Sequence, residues 1–567
     1  MTEPVAGTTE SVPEAVAPEE RDPRVVRRPL GFAGLAIALL FVCLSFTPSL
    51  LPRAWVVQGA ISGLTAAIGY GLGAGAGSLI AKIARWEPAP RIRKIGWRVL
   101  IVGGAVAFVL FDWLGAVWQR DLRRQMGLHA HLARDGVLIL VVTVLVFALV
   151  LLVARSIRLG TRKINHVLAR FVPKPVAYVG AVVVTVFILV GFVQGFLLKA
   201  LINVANETAH LANGGTSEGI TQPRTANLSG APQSYVPWHT LGVKGRDFVG
   251  QANTAEEITK FTGRPAKEPV RVYVGLESAD TSEEQADLAV RELERTGAFE
   301  REVLVIVGTT GSGWIGEVVP DSLEHMYGGD SAVVAVQYSY LPSWISFLVD
   351  KTKATSASED LVTAIHERWS KLPADDRPKL ALFGESLGSY GTETAFDELT
   401  NLTSRTDGAL LVGPPFDNPI WKQVTSGRDS GSPVWRPVVE NGRTVRFSQD
   451  PKELRALGAE WGFPRVVYLQ NASDPITWWD PTLIVRSPDW LDDPRGSDVS
   501  RHMQWYPFIS FWQVTADLAF STSVPDGHGH SFGTNIVDGW AALLEPKGWT
   551  DQDTARLKEH LEGRTTG

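Results

Sequence analysis

The 567-residue chain has room for two or three domains, and at 45% hydrophobic and 20% charged it is not disordered overall. Residues 1–200 carry 22 Lys and Arg against 10 Asp and Glu, a net +12, whereas the remainder carries 32 against 50, a net −18. A segment so acidic repels phosphate and argues against nucleic acid as a partner, and the lone cysteine, Cys43, rules out an intramolecular disulfide and a cysteine metal site.

The first 29 residues, rich in Pro, Glu, Ala and Thr, read as a disordered cytoplasmic tail. They reach the first apolar run without a small-residue cleavage site, which predicts an uncleaved anchor. Five apolar stretches follow, at about 30–50, 55–84, 98–118, 136–154 and 176–198, each near the ~20 residues that span a bilayer. Residues 30–200 are therefore expected to form a transmembrane domain of about five helices. In the second, Gly69, Gly73 and Gly77 fall on one face and suit close helix packing within the chain. Arg24, Arg27 and Arg28 precede the first span. Lys82, Arg85, Arg91, Arg93, Lys94 and Arg98 separate the second from the third, with Glu87 as the one acid. Arg155, Arg158, Arg162, Lys163, Arg170 and Lys174 separate the fourth from the fifth. With five spans these segments share one side, the cytoplasm, and the chain after residue 200 lies outside. The loop with Arg120, Arg123, Arg124 and Arg134 weakens this asymmetry but also carries Asp121 and Asp135. Asp112 is the chief acid within a span, and so little intramembrane charge argues against a transporter.

Polar residues 201–267 read as a linker and entry segment, and 268–567 as a catalytic domain. In the latter, short apolar runs at 270–276, 301–308, 331–340, 379–383, 408–413 and 465–470 alternate with amphipathic segments. Continuous apolar strands between helices predict a parallel sheet covered on both faces. The fold class expected is an α/β hydrolase preceded by an all-α transmembrane domain.

The fourth of these runs leads into LALFGESLGSYG, where Ser386 sits between Gly384 and Gly388. A strand turning directly into a helix lifts a serine hydroxyl out of the sheet and aims the next N–H, that of Leu387, at a developing oxyanion. Gly-x-Ser-x-Gly also occurs at Gly215–Gly219 around Ser217, but no strand precedes it there. A serine nucleophile needs a base, and the base an orienting acid. Asp474 follows a strand end in RVVYLQNASDPITWWDP, with Asp480 in reserve. The base is expected in VPDGHGHSFG: His528 follows Val524-Pro525 and a turn, and His530 fits about as well. A His-x-His metal pair lacks a partner motif, so neither metal nor cofactor is expected. The second oxyanion donor is expected in VGTTGSGW, from Thr309, Thr310 or Gly311; this loop lacks the Lys-Ser/Thr of a phosphate-binding loop. Residues 414–464 stand where a lid is common. The aromatics Trp478, Trp479, Trp490, Trp505, Phe508, Phe511 and Trp512 suit an acyl pocket or simply core.

"RVYVGLESA", "ERTGAFER", "TTGSGW", "QYSYLPSW", "GESLGSYG", "VGPPF", "LQNASDPITWW" and "GHGH" together resemble the bacterial, chiefly actinobacterial, membrane-anchored α/β hydrolases, over nearly everything from 30 to 548. The resemblance implies Ser386 as nucleophile, with Asp474 and a histidine of GHGH completing a triad. The expected activity is that of a membrane serine hydrolase acting outside the cytoplasm on an ester or thioester, of a small molecule or of a lipid or cell-envelope component. Membrane lipids are its surroundings. Acyl transfer by the same triad is the nearest alternative, and a non-catalytic transport or scaffold protein the rival from another class. Intact Ser, Asp and His positions argue against the latter.

Overall fold

The computed structural model describes residues 30–84, 89–130, 135–349, 351–455 and 459–565. The tail of residues 1–29, with Arg24, Arg27 and Arg28, lies outside the described residues, as do Arg85, Glu87 and Arg134.

Five helices build the N-terminal half: α1 (Phe32–Ser45), α2 (Trp55–Ala84), α3 (Pro90–Gln125), α4 (Gly136–Leu168) and α5 (Lys174–Phe192). Four segments, Trp55–Ile83, Pro90–Gln125, Gly136–Leu168 and Lys174–Phe196, are long and apolar enough to cross a bilayer. The fifth is shorter than the expected 30–50. A 14-residue α1 extends about 21 Å at 1.5 Å per residue, short of a ~30 Å hydrocarbon core. It ends at Ser45 because Pro48 and Pro52 follow closely and cannot continue a helix.

Glycines set how these helices approach. A β-carbon on Gly69 would stand 2.8 Å from the Phe41 ring, and one on Gly73 would strike Ile37 and the Ala33 carbonyl, so α1 runs antiparallel to α2. Phe32 meets Trp97 and Phe46 meets Phe108, so α3 runs with α1; Tyr70 meets Phe147 and Gly63 meets Val146, so α4 runs with α2. The C-terminal ends of α1 and α3 and the N-terminal ends of α2 and α4 consequently share one end of the bundle. The opposite end carries Lys82 on α2, Arg91, Arg93 and Lys94 on α3, and the basic connection between α4 and α5. Asp112 stands at the first of these ends, its carboxylate against Gly136.

Residues 201–267 are not a free linker. A π-helical turn, Val193–Leu198, runs from α5 into the helix Lys199–Asn213. Leu228, Val236, Leu241, Phe248 and Val249 then join the main core. Their polarity misleads because the packing is partly polar: Arg246 donates to the Gly214 and Gly215 carbonyls, and Arg271, buried in the first strand, donates to the Phe248 carbonyl, Asp321 and Glu324.

The C-terminal half is a seven-stranded, wholly parallel sheet: β1 (Val270–Val274), β2 (Val303–Gly308), β3 (Ser331–Val336), β4 (Lys379–Glu385), β5 (Gly408–Val412), β6 (Val445–Ser448) and β7 (Arg465–Leu469). Their order is β1-β3-β2-β4-β5-β7-β6. Each strand is buried along nearly its whole length, as a sheet covered on both faces requires. The segment 414–464 contributes the helix Pro419–Ser426 and the edge strand β6, rather than a lid alone.

Bundle and sheet share a core, since Leu50, Leu51, Leu122 and Met126 pack with the residues of the sheet. Asp517, on the helix Ile509–Leu518, accepts hydrogen bonds from the N–H groups of Leu50 and Leu51 at 3.0 and 3.3 Å, and Gln513 donates to the carbonyls of Ser45 and Thr47. Arg53 is buried 4.0 Å from Asp517.

Candidate active site

Ser386 stands between the end of β4 and the helix Leu387–Thr394, at φ 54° and ψ −125°. A non-glycine residue held there stores of order 1–3 kcal/mol, which the surrounding packing must sustain. The flanking glycines are steric necessities. A β-carbon on Gly384 would stand 2.6 Å from Ser389 Cα, and one on Gly388 would overlap the Gly308 carbonyl at the end of β2. Ser386 N–H donates to the Val412 carbonyl at 2.9 Å, which ties the turn to β5. The residue is half-buried. Leu387 opens the helix, so its N–H belongs to the first turn, whose donors have no intrahelical acceptor.

Asp474, fully buried, follows β7 and caps the short helix Pro475–Trp478 by accepting from Ile476 N–H at 2.8 Å. Its other carboxylate oxygen lies 2.7 Å from His530 Nδ1. His530 Nε2 is buried with no hydrogen-bond partner among the described residues. The ring rests on the chain just past β5: a β-carbon on Gly413 (φ 54°) would strike His530 Cε1 and Nδ1. Burial works against the imidazolium, but the charge and hydrogen bond of Asp474 and the charge of Glu385 outweigh it, and raise His530 above its ordinary value.

His528 stands apart from that pair. Its Nδ1 lies 3.0 Å from Asp498 Oδ2, so of the two candidate histidines it is His530, and not the slightly favoured His528, that pairs with Asp474. Asp498 is buried and also accepts from Ser473 Oγ at 2.5 Å and Gln449 Nε2 at 3.0 Å. Ser473 Oγ in turn accepts from Gly529 N–H at 2.8 Å, and Asn471 donates to the Gly529 carbonyl. The loop bearing both histidines is thus held from Ser473 and Asp498, two residues that sequence reasoning passed over. Asp480 caps the short helix Pro481–Ile484 through Thr482 N–H, and bonds to neither histidine among the described residues. Ser217 stands in the irregular segment before the turn at Glu218–Gly219, and no strand leads into it.

Beyond β2, Thr309 is buried and its hydroxyl donates to the Val336 carbonyl at 2.8 Å. Thr310 N–H is directed back to the Trp314 carbonyl at 3.4 Å. Of the aromatics, Trp478 and Trp490 are core, whereas Trp479, Trp505, Phe508, Phe511 and Trp512 are half-buried. Ring contacts run from Phe347 to Phe416, Trp479, Phe511 and Trp512. No cluster of three His, Cys, Asp or Glu suited to a metal occurs among the described residues.

Residues 270–557 match the model of an alpha/beta-hydrolase family, and residues 46–252 match the model of that family's N-terminus. No curated protein and no solved structure matches the chain. The first match covers more than half of the chain and includes every strand of the sheet, and on that ground the chain belongs to the alpha/beta-hydrolase family.

Proposed function

We propose that the protein is an integral-membrane serine hydrolase that cleaves an ester or thioester through an acyl-enzyme on Ser386. The observation that carries this is the His530–Asp474 pair, whose ring rests against Gly413, next to the Val412 carbonyl that receives the N–H of the strained Ser386 elbow, with the second imidazole nitrogen unpaired among the described residues. In this reading Ser386 Oγ attacks the carbonyl carbon and His530 Nε2 takes its proton. Asp474 holds the Nδ1–H tautomer and stabilises the imidazolium. The N–H groups of Leu387 and Thr309 receive the negative charge on the carbonyl oxygen. Thr310 is the weaker candidate, because its N–H is already directed at Trp314. His530 then protonates the leaving alcohol or thiol, and water repeats the sequence to release the acid.

Membrane placement favours a lipid or cell-envelope acyl ester. A β-carbon on Gly529, between the two histidines, would stand 3.3 Å from Leu51 of the bundle. The helix that receives Leu50 and Leu51 also carries Phe511 and Trp512 of the aromatic series. The resemblance to bacterial membrane-anchored hydrolases supports the same placement. Purified protein is expected to hydrolyse short p-nitrophenyl acyl esters, and Ser386→Ala to reduce turnover to the level of buffer. Equal turnover by Ser386→Ala rejects the reading.

A further inference from the structure

Glu385, the residue before Ser386, ends β4 half-buried, and its carboxylate has no hydrogen-bond or ion-pair partner among the described residues. The charged groups acting on it are His530 and Asp474. It has one notable uncharged neighbour. A β-carbon placed on Gly316 would stand 3.4 Å from Trp314 Cη2 and 4.0 Å from Glu385 Oε2, so the indole edge and the carboxylate flank one gap that glycine keeps open. Trp314 is 42% exposed and belongs to the loop that carries Thr309 and Thr310. Burial pushes Glu385 toward its neutral form and the charge of His530 opposes this only in part, so a further cation beside the carboxylate would favour its ionised form. A carboxylate beside an exposed aromatic ring is the composition that receives a quaternary or primary ammonium group.

We propose that Glu385 and Trp314 form a subsite for an ammonium group that the ester carries within a few bonds of its carbonyl, so that cationic esters are selected over neutral ones. This rests on Ser386 as nucleophile. A cation seated there would meet Glu385 on one side and the indole on the other, one residue from the attacking oxygen. No lysine or arginine among the described residues occupies the position.

The test uses two p-nitrophenyl methylphosphonates, one esterified with choline and one with its neutral isostere 3,3-dimethylbutanol. Each reacts by forming a bond from Ser386 Oγ to phosphorus while p-nitrophenolate leaves and His530 takes the serine proton. The choline ester is expected to modify the full-length protein about tenfold faster or more. Glu385→Gln should bring the ratio of the two rates close to one, and Trp314→Leu should lower it in part. The ratio is measured on one preparation, so a general loss of reactivity cancels. Equal rates in the unaltered protein, or a ratio that persists in Glu385→Gln, overturn the subsite while Ser386 stands as nucleophile. Failure of both reagents to modify Ser386 overturns the hydrolase reading and the subsite with it.

Discussion

Asp474→Asn should leave the fold intact and lower turnover by about 10⁴-fold, because the amide would hold His530 in the wrong tautomer. Alanine at His530 should remove nearly all activity, whereas alanine at His528 should cost far less, since His528 is bonded to Asp498. Turnover of the three variants on one ester checks the assignment, and greater damage from His528→Ala would reverse it. The pH profile gives an independent reading. A base whose value is raised is protonated, and idle, up to a higher pH. The acid limb of kcat/KM should therefore have its midpoint above the ordinary ~6.5 of histidine, and a midpoint below it contradicts the Asp474 contact. The strand–turn–helix at Ser386 was legible in the sequence because its signal is local: an apolar strand, two glycines and a helix within a dozen residues. The choice between His528 and His530 was not, because two residues of one loop are separated by partners 30 and 56 positions away.

At the scale of elements, the connection between α1 and α2 acts as a latch on the catalytic half. Burial pushes the Asp517 carboxyl up to about 6, against the pull of Arg53. Asp517→Ala would strip two backbone N–H groups of their acceptor and leave Arg53 buried without a counter-charge, at a cost of about 3–5 kcal/mol. A large fall in Tm in detergent is expected, and an unchanged Tm would show that the latch carries no load. Glu393, on the helix after Ser386, is pushed up to about 7 by burial, although Asn418, Trp421 N–H, Tyr468 and Ile420 N–H all donate to it. Its folded value lies above its unfolded ~4.3, so its contribution to stability is full below that value and is lost as pH rises through about 7. Tm should fall between pH 5 and 8, and Glu393→Gln should flatten part of that slope; an identical slope in the variant removes Glu393 as a cause. The parallel character of the sheet was readable from six apolar strands. Strand β6 was not, because VRFS is four residues long and lies within a polar insertion, and the place of β3 between β1 and β2 depends on crossovers that no local pattern records.

Across the whole molecule, the basic residues at the C-terminal end of α2, the N-terminal end of α3 and between α4 and α5 lie at the end of the bundle opposite the sheet. Insertion keeps such segments in the cytoplasm, where the membrane potential and anionic lipid hold them. We infer that the sheet lies outside. A reporter active only outside the cytoplasm should give signal when fused after residue 567 and none after residue 90; the reverse pattern would place the catalytic half inside. The apolar periodicity made the four long helices legible, but not how α1 ends, which Pro48, Pro52 and the contacts to Gln513 and Asp517 decide together. The claim on which the rest depends is that Ser386 is the nucleophile, and labelling with a fluorophosphonate followed by mapping of the modified peptide tests it most directly. The adduct is predicted on Ser386, absent from Ser386→Ala and strongly reduced in His530→Ala. An adduct on Ser217, or labelling that survives in Ser386→Ala, would contradict it.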